Sequence, residues 1–527
     1  MVSRIACVGG GPGGLFFATL IKQADPTVDV TVFERNRPDD IFGFGVVFSD
    51  ATLAGIHEAD PVLRHGLEEH GRHWDQIEVR LKGERMSFGG NGMAAIHRRK
   101  LLALLRDRAT EVGVDLRFST EISDAEQLAD YDLIVAADGA NSRFRAGLED
   151  AFAPKVDVAT AKFIWFGTDY MFDGLTFVHE HGPHGTFAVH GYPISEDIST
   201  FIVETDEQTW RAAGLDEFDV SQPPGASDEK TREYLEKLFA EQIDGHGLLV
   251  NNSRWGNFRT WRTGRWHSGN VVLLGDAAHT AHFSVGSGTK MAMEDAIVLA
   301  RSVTEYSDDL ETALDEYESV RRPSVEKIQG AARPSLSWWE HFGRYHDAFH
   351  PTQFGFHFFS RSIGRDKLAR RDPEFVERVE RDWRERNGAD PMVTPLRVGN
   401  QTFSGRRVEI RETPTGPVVE GADGSVSLPS RPGDGEWALW LSAPATEEGL
   451  PERFTELAEA LRGDQPPSLV AVRSGSKLTR ALLAEQARLH HQVPALVVED
   501  ELDEDRAQTL LLSGRADLVG STTETKS

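Results

Sequence analysis

The chain of 527 residues contains a single cysteine, Cys7. One cysteine excludes an intramolecular disulfide and fits a reducing compartment. Long apolar runs are also missing, since none approaches the ~20 residues that a membrane-spanning helix needs. The apolar run at residues 5–8 ends at a glycine-rich turn, and this run is too short for the apolar core of a signal peptide. We therefore expect a cytoplasmic protein without a membrane partner.

Basic residues are outnumbered by acidic ones. Lys and Arg total 57 against 84 Asp and Glu, which gives a formal net charge of −27. Such a charge repels phosphate backbones, so nucleic acid is not an expected partner, and any phosphate-bearing ligand needs local donors. The hydrophobic share of 39% and charged share of 27% are those of a globular protein, and the length predicts more than one domain.

A glycine-rich turn lies between a predicted strand at 4–8 and a predicted helix at 15–23. Gly9, Gly11 and Gly14 have the spacing GxGxxG, and Glu34 ends the next predicted strand. Glycines let the backbone approach a pyrophosphate at a helix N-terminus, and the acid can accept hydrogen bonds from a ribose. The pattern predicts a dinucleotide-binding βαβ unit and leaves both FAD and NAD possible.

Two further motifs follow predicted buried strands. Residues 271–274 lead into 275–279 (GDAAH), and 286–288 (GSG) open a predicted helix. An acid after a buried strand can reach a ribityl hydroxyl, whereas a simple nicotinamide dehydrogenase has no use for a second, distant ligand-binding element. Residues 132–137 lead into 138–145 (DGANSRFR), which is either a plain turn or a second contact beside the pyrophosphate.

Together the three motifs resemble, in order and position, the single-component (group A) flavoprotein aromatic hydroxylases, the class of para-hydroxybenzoate hydroxylase, over about residues 1–390. An Arg that opens a helix in this family is matched by Arg98 in 96–101 (IHRRKL). The resemblance implies bound FAD and a transient visit by NADH or NADPH. The FAD contacts that it implies are Gly9, Gly11, Pro12, Gly13, Gly14, Glu34, Arg35, Val47, Arg98, Ile122, Asp138, Gly275, Asp276, Gly286 and Gly288.

The chemistry implied by the resemblance needs a base. Reduced FAD and O₂ form a C4a-hydroperoxide, which an electron-rich ring attacks, and a phenol reacts better when it shares or loses its proton. His282 is the first candidate because it precedes the glycine turn that should face the flavin ring. His279, with a structural or cofactor-contacting role as the alternative, and Tyr192, with core packing as the alternative, are the other two. No metal site is expected among the aromatic residues and histidines of 338–359.

One departure from the family narrows the resemblance. The family often has a proline soon after the second motif, whereas this chain reads HTAHFSVG over 279–286, and 42–49 read FGFGVVFS. These segments are similar to salicyloyl-CoA 5-hydroxylases and to the monooxygenase half of 2-aminobenzoyl-CoA monooxygenase/reductases. The similarity implies an aromatic acyl-CoA substrate, salicyloyl-CoA converted to gentisyl-CoA. Alternatives are 2-aminobenzoyl-CoA, a free phenol or an indole as substrate, or a flavin-binding protein without turnover.

The C-terminal segment resembles parts of an old-yellow-enzyme-type barrel. Residues 394–400 are similar to its opening, and 492–498 and 511–519 to its end. Only about 130 residues remain for a fold that needs ~250. Six acids in 499–505 would oppose an FMN phosphate. We therefore expect a truncated barrel-like remnant without FMN.

The expected fold is α/β, with a Rossmann-like (GR2-type) FAD domain and an inserted, mostly antiparallel substrate sheet. A CoA substrate would need cations, and local clusters occur at 361–371 and 259–265, where solvated faces or ion pairs are the alternative. A homodimer is possible. The expected domains are 1–160 with 255–330 for FAD, 160–255 plus about 76–92 for substrate, a helical connector at 331–394, and the remnant at 395–527.

Overall fold

The computed structural model describes residues 2–40, 43–219, 225–285, 288–421, 424, 426–431 and 435–522. The chain divides into two compact units, an N-terminal unit Met1–Gly343 and a C-terminal unit Arg344–Ser527. Within the described part of the chain, no helix is long and apolar enough to cross a membrane.

The described residues of the N-terminal unit form three sheets and the helices that cover them. Its strands are β1 Arg4–Val8, β2 Asp29–Phe33, β3 Gly45–Ser49, β4 Arg72–Trp74, β5 Ile77–Leu81, β6 Glu84–Phe88, β7 Met93–His97, β8 Asp115–Arg117, β9 Leu133–Ala136, β10 Lys155–Thr168, β11 Leu175–Gly182, β12 Gly185–Pro193, β13 Ser199–Thr205, β14 Leu248–Leu249, β15 Gly256–Arg262, β16 His267–Ser268 and β17 Val271–Leu273. Its helices are α1 Pro12–Ala24, α2 Asp50–Ala59, α3 Pro61–His70, α4 Arg98–Glu111, α5 Arg143–Gly147, α6 Glu149–Phe152, α7 Glu207–Ala212, α8 Glu229–Leu238, α9 Gly288–Glu305 and α10 Leu310–Ala348, which continues into the next unit. Short 3₁₀ turns lie at Ala125–Leu128, Gly275–Ala277 and Phe283–Val285.

The first sheet has the strand order β16-β17-β9-β1-β2-β8 and is parallel except for β16. Its central strands are short apolar runs that are buried along their whole length in β9 and over four of five residues in β1. Continuous apolar strands of this kind are typical of a parallel sheet covered on both faces. The carboxyl ends of β1, β9 and β17 therefore meet at one edge, where all three glycine motifs begin.

The second sheet has the order β14-β10-β13-β12-β11-β5-β6, with β15 paired to β10. It is antiparallel except for the pair β11 and β5. Because side chains alternate along a strand, one face carries the apolar core of Ile164, Phe166, Val189, Phe201 and Val203, packed with residues of α8. The opposite face contains the polar and aromatic residues considered below.

A small third sheet, β3-β7-β4, packs beside the second one. Gly45 begins β3, and a Cβ there would lie 2.3 Å from Ile194 and 3.2 Å from the ring of Tyr192. A larger residue would push β3 away from β12. Glycine at this position therefore keeps the two sheets in close contact.

The C-terminal unit is a separate α/β structure. Its larger sheet has the order β22-β21-β20-β26-β25-β24-β23, with parallel pairing from β20 to β23. The strands are β18 Leu396–Val398, β19 Gln401–Phe403, β20 Arg407–Arg411, β21 Val418–Gly421, β22 Ser427–Pro429, β23 Ala438–Ser442, β24 Leu469–Arg473, β25 Ala495–Glu499 and β26 Leu518–Thr522. The helices are α11 Pro351–Phe359, α12 Arg365–Arg371, α13 Pro373–Asn387, α14 Leu450–Arg462, α15 Lys477–Glu485 and α16 Glu504–Leu512.

The C-terminal unit buries an acid among its core residues. Glu485 accepts a hydrogen bond from the hydroxyl of Tyr345 at 2.6 Å and lies 3.2 Å from His357 Nε2 and 3.6 Å from Arg515 Nε. Burial alone would raise the pKa of Glu485, but His357, Arg515 and Arg344 lower it to about 2. This carboxylate is therefore held in its charged form.

Candidate active site

The glycine-rich turn after β1 uses its glycines in different ways. Gly9 has φ +115°, and a Cβ there would lie 2.2 Å from the carbonyl oxygen of Ala137. A Cβ on Gly14 would lie 2.2 Å from the carbonyl oxygen of Gly9. Gly11 has an ordinary φ of −79°, and no described atom lies within 4 Å of its Cβ position. Since α1 begins at Pro12 with no acid in its first turn, the open side of this turn favours an anion.

The second glycine motif reaches the same place. A Cβ on Gly13 would lie 2.5 Å from Leu274 Cδ2, so α1 packs directly on the end of β17. The turn Gly275–Ala277 begins there, with Gly275 at φ +62°. A Cβ on Gly288, at the start of α9, would lie 4.0 Å from Asp276 Oδ1. The two motifs, far apart in sequence, thus form one cradle.

Two acids flank this cradle. Glu34, directly after β2, accepts hydrogen bonds from the N–H groups of Gly10 and Asn36, both at 2.8 Å. Oε1 also accepts from the side-chain amide of Asn36 at 2.7 Å, whereas Oε2, which accepts only from Gly10, keeps a further lone pair for a ribose hydroxyl. Asp138 accepts from the N–H of Arg143 through Oδ2 at 2.8 Å. Its Oδ1 is buried and has no partner among the described residues, which marks it as an acceptor for a ligand donor.

Arg98, the first residue of α4, faces Asp276 and Tyr192. Burial lowers the pKa of Arg98, and the negative charge of Asp276 opposes this effect. Burial raises the pKa of Asp276 and raises that of Tyr192 to about 12. Within the described ranges the guanidinium of Arg98 donates no hydrogen bond. This cation therefore remains available to an anionic ligand.

Arg145 connects two of the motifs, a role that the sequence patterns did not predict. Its guanidinium donates to the carbonyl oxygens of Ala277 at 2.8 Å, Asp276 at 3.3 Å and Ala140. It also lies 3.8 Å from the ring centroid of Trp261. The signal available in the sequence was an arginine seven residues after Asp138, close to the turn that it connects.

His279 lies in a buried ion cluster. Its Nε2 lies 2.8 Å from Asp295 Oδ2, and Arg321 Nε donates to Asp295 Oδ1 at 2.8 Å. Burial would raise the pKa of Asp295, but His279 and Arg321 lower it. Asp295 also accepts from the N–H of Gly275 at 3.2 Å. The cluster therefore favours the structural alternative for His279.

The remaining sequence-predicted contacts differ in their exposure. Arg35 is exposed, and Val47 on β3 and Ile122 are partly buried. Gly286 and Phe42 lie outside the described residues.

One face of the second sheet carries a row of polar and aromatic side chains. In register, Phe163, Glu204, Ala188 and His179 lie side by side on β10, β13, β12 and β11. The next row is Trp165, Ile202, His190 and Phe177, and the third contains Gly167, Thr200 and Tyr192. Directly opposed residues on neighbouring strands share a face, so Glu204 and His190 project to the same side as Tyr192.

A buried carboxylate lies between two histidines on this face. Glu204 Oε2 lies 2.6 Å from His190 Nε2, and its Oε1 lies 3.2 Å from His282 Nε2. Glu204 and His282 are each 1% exposed. Burial alone would raise the pKa of Glu204, but His282 and His190 more than offset this effect and lower it to about 2. Glu204 is therefore a fixed negative charge at the base of the site.

The other nitrogen of His282 also has a partner. Nδ1 lies 2.7 Å from Ser284 Oγ, which lies 2.8 Å from Ser335 Oγ on α10. Ser284 is partly exposed, whereas Ser335 is fully buried. The order Glu204, His282, Ser284 thus connects a buried charge to a hydroxyl that a ligand can reach.

Aromatic rings surround the same histidine. Phe283 lies with its ring centroid 5.1 Å from Phe163, 6.2 Å from Trp165 and 5.5 Å from His190, and Phe258 lies 5.0 Å from the ring of His282. Phe163, Trp165, Phe258 and Phe283 are all only partly buried. The indole Nε1 of Trp165 has no hydrogen-bond partner in the described part of the chain. The wall suits a flat aromatic ligand with one acceptor group.

Comparison with known proteins identifies the family. A family model described as an FAD binding domain matches residues 3–332. The chain is also 58% identical over 523 residues to a salicyloyl-CoA 5-hydroxylase of Streptomyces sp. The match covers 98% of this chain and 100% of that protein. The chain belongs to the FAD-dependent aromatic hydroxylases. A second relative is a 3-hydroxy-4-methyl-anthranilyl-[aryl-carrier protein] 5-monooxygenase of Streptosporangium sibiricum, which is 38% identical to this hydroxylase over 336 residues. The match covers 64% of this hydroxylase and 89% of that protein.

Solved structures show the same fold. The tetrameric form of 2-methyl-3-hydroxypyridine-5-carboxylic acid oxygenase matches with a TM-score of 0.52 and 23% identity. The match covers 64% of this hydroxylase and 93% of that chain. The predicted α/β fold of an FAD-binding aromatic hydroxylase is thereby confirmed.

The hydroxylase is an FAD-dependent aromatic monooxygenase, as the sequence predicted, with an aromatic substrate and O₂. NAD(P)H is the reductant typical of the family. The cradle fits FAD on its own geometry, because it combines the open side of Gly11, the unpartnered oxygen of Asp138 and the unpaired guanidinium of Arg98. A flavin-binding protein without turnover is not favoured, because the relatives are named as hydroxylases and monooxygenases.

Proposed function

We propose that this hydroxylase acts on an aromatic acyl-CoA thioester, converting salicyloyl-CoA to gentisyl-CoA by hydroxylation at C5. The observation that carries the proposal is the 58% identity to a salicyloyl-CoA 5-hydroxylase along the whole of both chains. One atom of O₂ becomes the new ring hydroxyl and the other leaves as water; NADH supplies a hydride and becomes NAD⁺, solvent supplies one proton, and the displaced ring hydrogen is released as a proton that these products take up. Bound FAD supplies the electron transfer and the activation of O₂.

The aromatic wall orients the ring in this proposal. Phe163, Phe258 and Phe283 contact the flat faces and edges of the substrate, and Trp165 Nε1 donates to one of its oxygens. Salicyloyl-CoA offers two such oxygens, the phenol and the thioester carbonyl. The partly buried rings also exclude water, which protects the activated oxygen from wasteful release as peroxide.

We assign the base to a relay rather than to His282 alone. Both ring nitrogens of His282 already have partners, so the substrate phenol reaches it through the hydroxyl of Ser284. Ser284 accepts the phenol proton and passes its own to His282, and Glu204 stabilises the imidazolium that forms. Glu204 is a positioning residue in this scheme, and His190 holds its second oxygen. Tyr192, which faces Arg98, is assigned to the cofactor side.

The FAD contacts remain those that the family resemblance implies, from Gly9 to Gly288, and the domain bounds expected from the sequence are kept as part of the proposal. We further propose that residues 395–527 are a shortened old-yellow-enzyme-type barrel without FMN. Two features support this: the run of parallel strands from β23 to β26, and the hairpin Leu396–Phe403 that precedes β20. A homodimer is compatible with the proposal.

The test is a substrate comparison. Purified hydroxylase is mixed with NADH and either salicyloyl-CoA, 2-aminobenzoyl-CoA or free salicylate, while NADH loss, peroxide and hydroxylated product are measured together. We expect coupled hydroxylation with salicyloyl-CoA and a 2,5-dihydroxy product after thioester cleavage. Coupled turnover of free salicylate alone would overturn the CoA assignment, and coupled turnover of 2-aminobenzoyl-CoA alone would overturn the choice of ring.

A further inference from the structure

A cavity of about 740 Å³ opens beside the first turn of α4. Its lining includes Phe44, His97, Arg99, Lys100, Val250 and Asn251. This volume is within the range of pockets that hold cofactor-sized ligands, which is roughly 300–1,000 Å³. None of the FAD contacts that lie within the described residues lines it.

The cavity is electropositive in a strongly acidic protein. Arg99 and Lys100 are exposed, and neither forms an ion pair with any described residue, although acids outnumber bases by 84 to 57. Among the residues that the structure describes, no carboxylate lines the cavity. Burial lowers the pKa of His97, Arg99 lowers it further, and Asp197 is the acid that opposes them. Free cations around a concave surface are suited to a ligand with several negative charges.

The cations suggested by the sequence alone are less suitable. In the 361–371 cluster, Arg365 pairs with Glu380 and Asp366. In the 259–265 cluster, Arg262 pairs with Asp157. Neither cluster lines the cavity.

The cavity borders the aromatic face of the second sheet. The ring of Phe44 lies 2.6 Å from the Cβ position of Gly167, so this contact exists because Gly167 has no side chain. Gly167 is opposite Thr200 and in the same row as Tyr192. Phe44 also belongs to the small core that contains Tyr192 and Ile202. One aromatic side chain therefore separates the cavity from the face that we assign to the substrate ring.

We propose that this cavity binds the adenosine diphosphate portion of the acyl-CoA substrate, with Arg99 and Lys100 on its phosphates. The inference rests on the proposed function, because it needs a thioester whose ring lies on the sheet face and whose pantetheine arm passes Phe44. Val250, 41% exposed at the rim, and Phe44 give the adenine and the arm apolar contacts. The side-chain amide of Asn251, held to the carbonyl oxygen of Gly43 at 3.0 Å, fixes that rim.

NADH carries the same adenosine diphosphate chemistry, so the test compares both cosubstrates. The variant is the double substitution Arg99→Ala with Lys100→Ala, and the matched control is Arg259→Ala with Arg265→Ala, two exposed cations of the same unit that do not line the cavity. Steady-state KM is measured for salicyloyl-CoA, for salicyloyl-pantetheine, which lacks the nucleotide, and for NADH. Thermal unfolding and FAD content show that each variant is folded and loaded.

We expect the cavity variant to raise KM for salicyloyl-CoA by about 10-fold or more, while KM for salicyloyl-pantetheine and for NADH stays within about twofold. The control variant should leave all three unchanged. A raised KM for NADH alone would give the cavity to the nicotinamide nucleotide and overturn the proposal, as would unchanged values throughout. Binding of free CoA is also measured by calorimetry, and we expect only the cavity variant to weaken it. This measurement tests the binding site even if no thioester is hydroxylated, so failure of the proposed function is distinguishable from failure of the binding proposal.

Discussion

Replacing Glu204→Gln tests the relay most directly, because the amide keeps the size of the side chain and removes its charge. The carboxylate lies 2.6 Å from His190 and 3.2 Å from His282 and is 1% exposed. Its pKa is lowered from 4.5 to about 2, and this difference corresponds to roughly 3 kcal/mol of preference for the charged form. We therefore expect the variant to lose stability of this order at pH 7.

The pH dependence has a defined sign. A carboxyl whose pKa is lower in the folded state contributes its stability above the unfolded pKa, and loses it as pH falls through the folded value. The stability difference between wild type and variant should therefore be full at pH 7 and shrink between about pH 4.5 and 2. Urea unfolding at several pH values measures it.

The functional consequence is a loss of coupled hydroxylation. With no negative charge to stabilise the imidazolium of His282, we expect hydroxylation to fall about 100-fold, the lower end of what general-base catalysis contributes. NADH oxidation should continue and release peroxide, and Glu204→Asp should restore part of the coupling. Product formation and peroxide per NADH are the two measurements.

The matched control is Glu180→Gln on β11 of the same sheet. Glu180 adjoins His179 in sequence and therefore lies on the opposite face, where it accepts a hydrogen bond from Gln242 at 2.6 Å. This variant should hydroxylate normally. If Glu204→Gln stays coupled to within about twofold of the control, the carboxylate has no part in the relay.

Four further predictions follow from the geometry. Gly11→Val should lose FAD, measured by its absorbance, yet unfold at the temperature of FAD-free wild type, because no described atom lies within 4 Å of its Cβ position. Gly14→Val should unfold below that temperature, because its Cβ would meet a carbonyl oxygen at 2.2 Å. His282→Phe should keep FAD and form peroxide instead of product, and coupled turnover would remove it from the relay. Glu485→Gln should lower the stability of the C-terminal unit at pH 7, because the pKa of Glu485 is lowered to about 2. The variant should also lose less stability than wild type between about pH 4.5 and 2, which unfolding measurements on both proteins across this pH range test. Extraction of the purified chain should give FAD without FMN, and chromatography that finds FMN would refute the assignment of the C-terminal remnant.

The three glycine motifs could be placed at one edge of a sheet from the sequence because their signals are local. Each glycine motif follows its own strand, and parallel strands end at one edge, so bringing the motifs together needs no knowledge of side-chain partners. Arg98, which the family resemblance places at the opening of a helix, is the first residue of α4. The role of Arg145 could not be predicted in this way, because it donates a hydrogen bond to Ala277, which is 132 residues away in the sequence.

The relay could not be predicted, because it depends on register. Glu204 is the only acid in the sequence of β13, Ser199–Thr205, and nothing local indicates its partners. That Glu204 is opposite Ala188, diagonal to His190 and below His282 follows only from the pairing of β12 with β13 and from the turn at Phe283. A shift of one residue would have moved Glu204 to the other face. Similarly, the sequence does not distinguish Arg99 and Lys100 from an ordinary basic helix surface, because the cavity beside them is formed by residues distant in the chain.

The lone cysteine acquires a different meaning in an enzyme that handles activated oxygen. Cys7 lies fully buried in β1 beneath the glycine turn, with its Sγ 3.6 Å from the carbonyl oxygen of Gly14. Burial, and then Asp138, raise the pKa of this thiol to about 12, and peroxide attacks thiolates rather than thiols. Each uncoupled turnover releases peroxide within the same molecule, yet its only cysteine is kept protonated and out of reach. The protein is thereby built to resist oxidation of its sole thiol by its own side product.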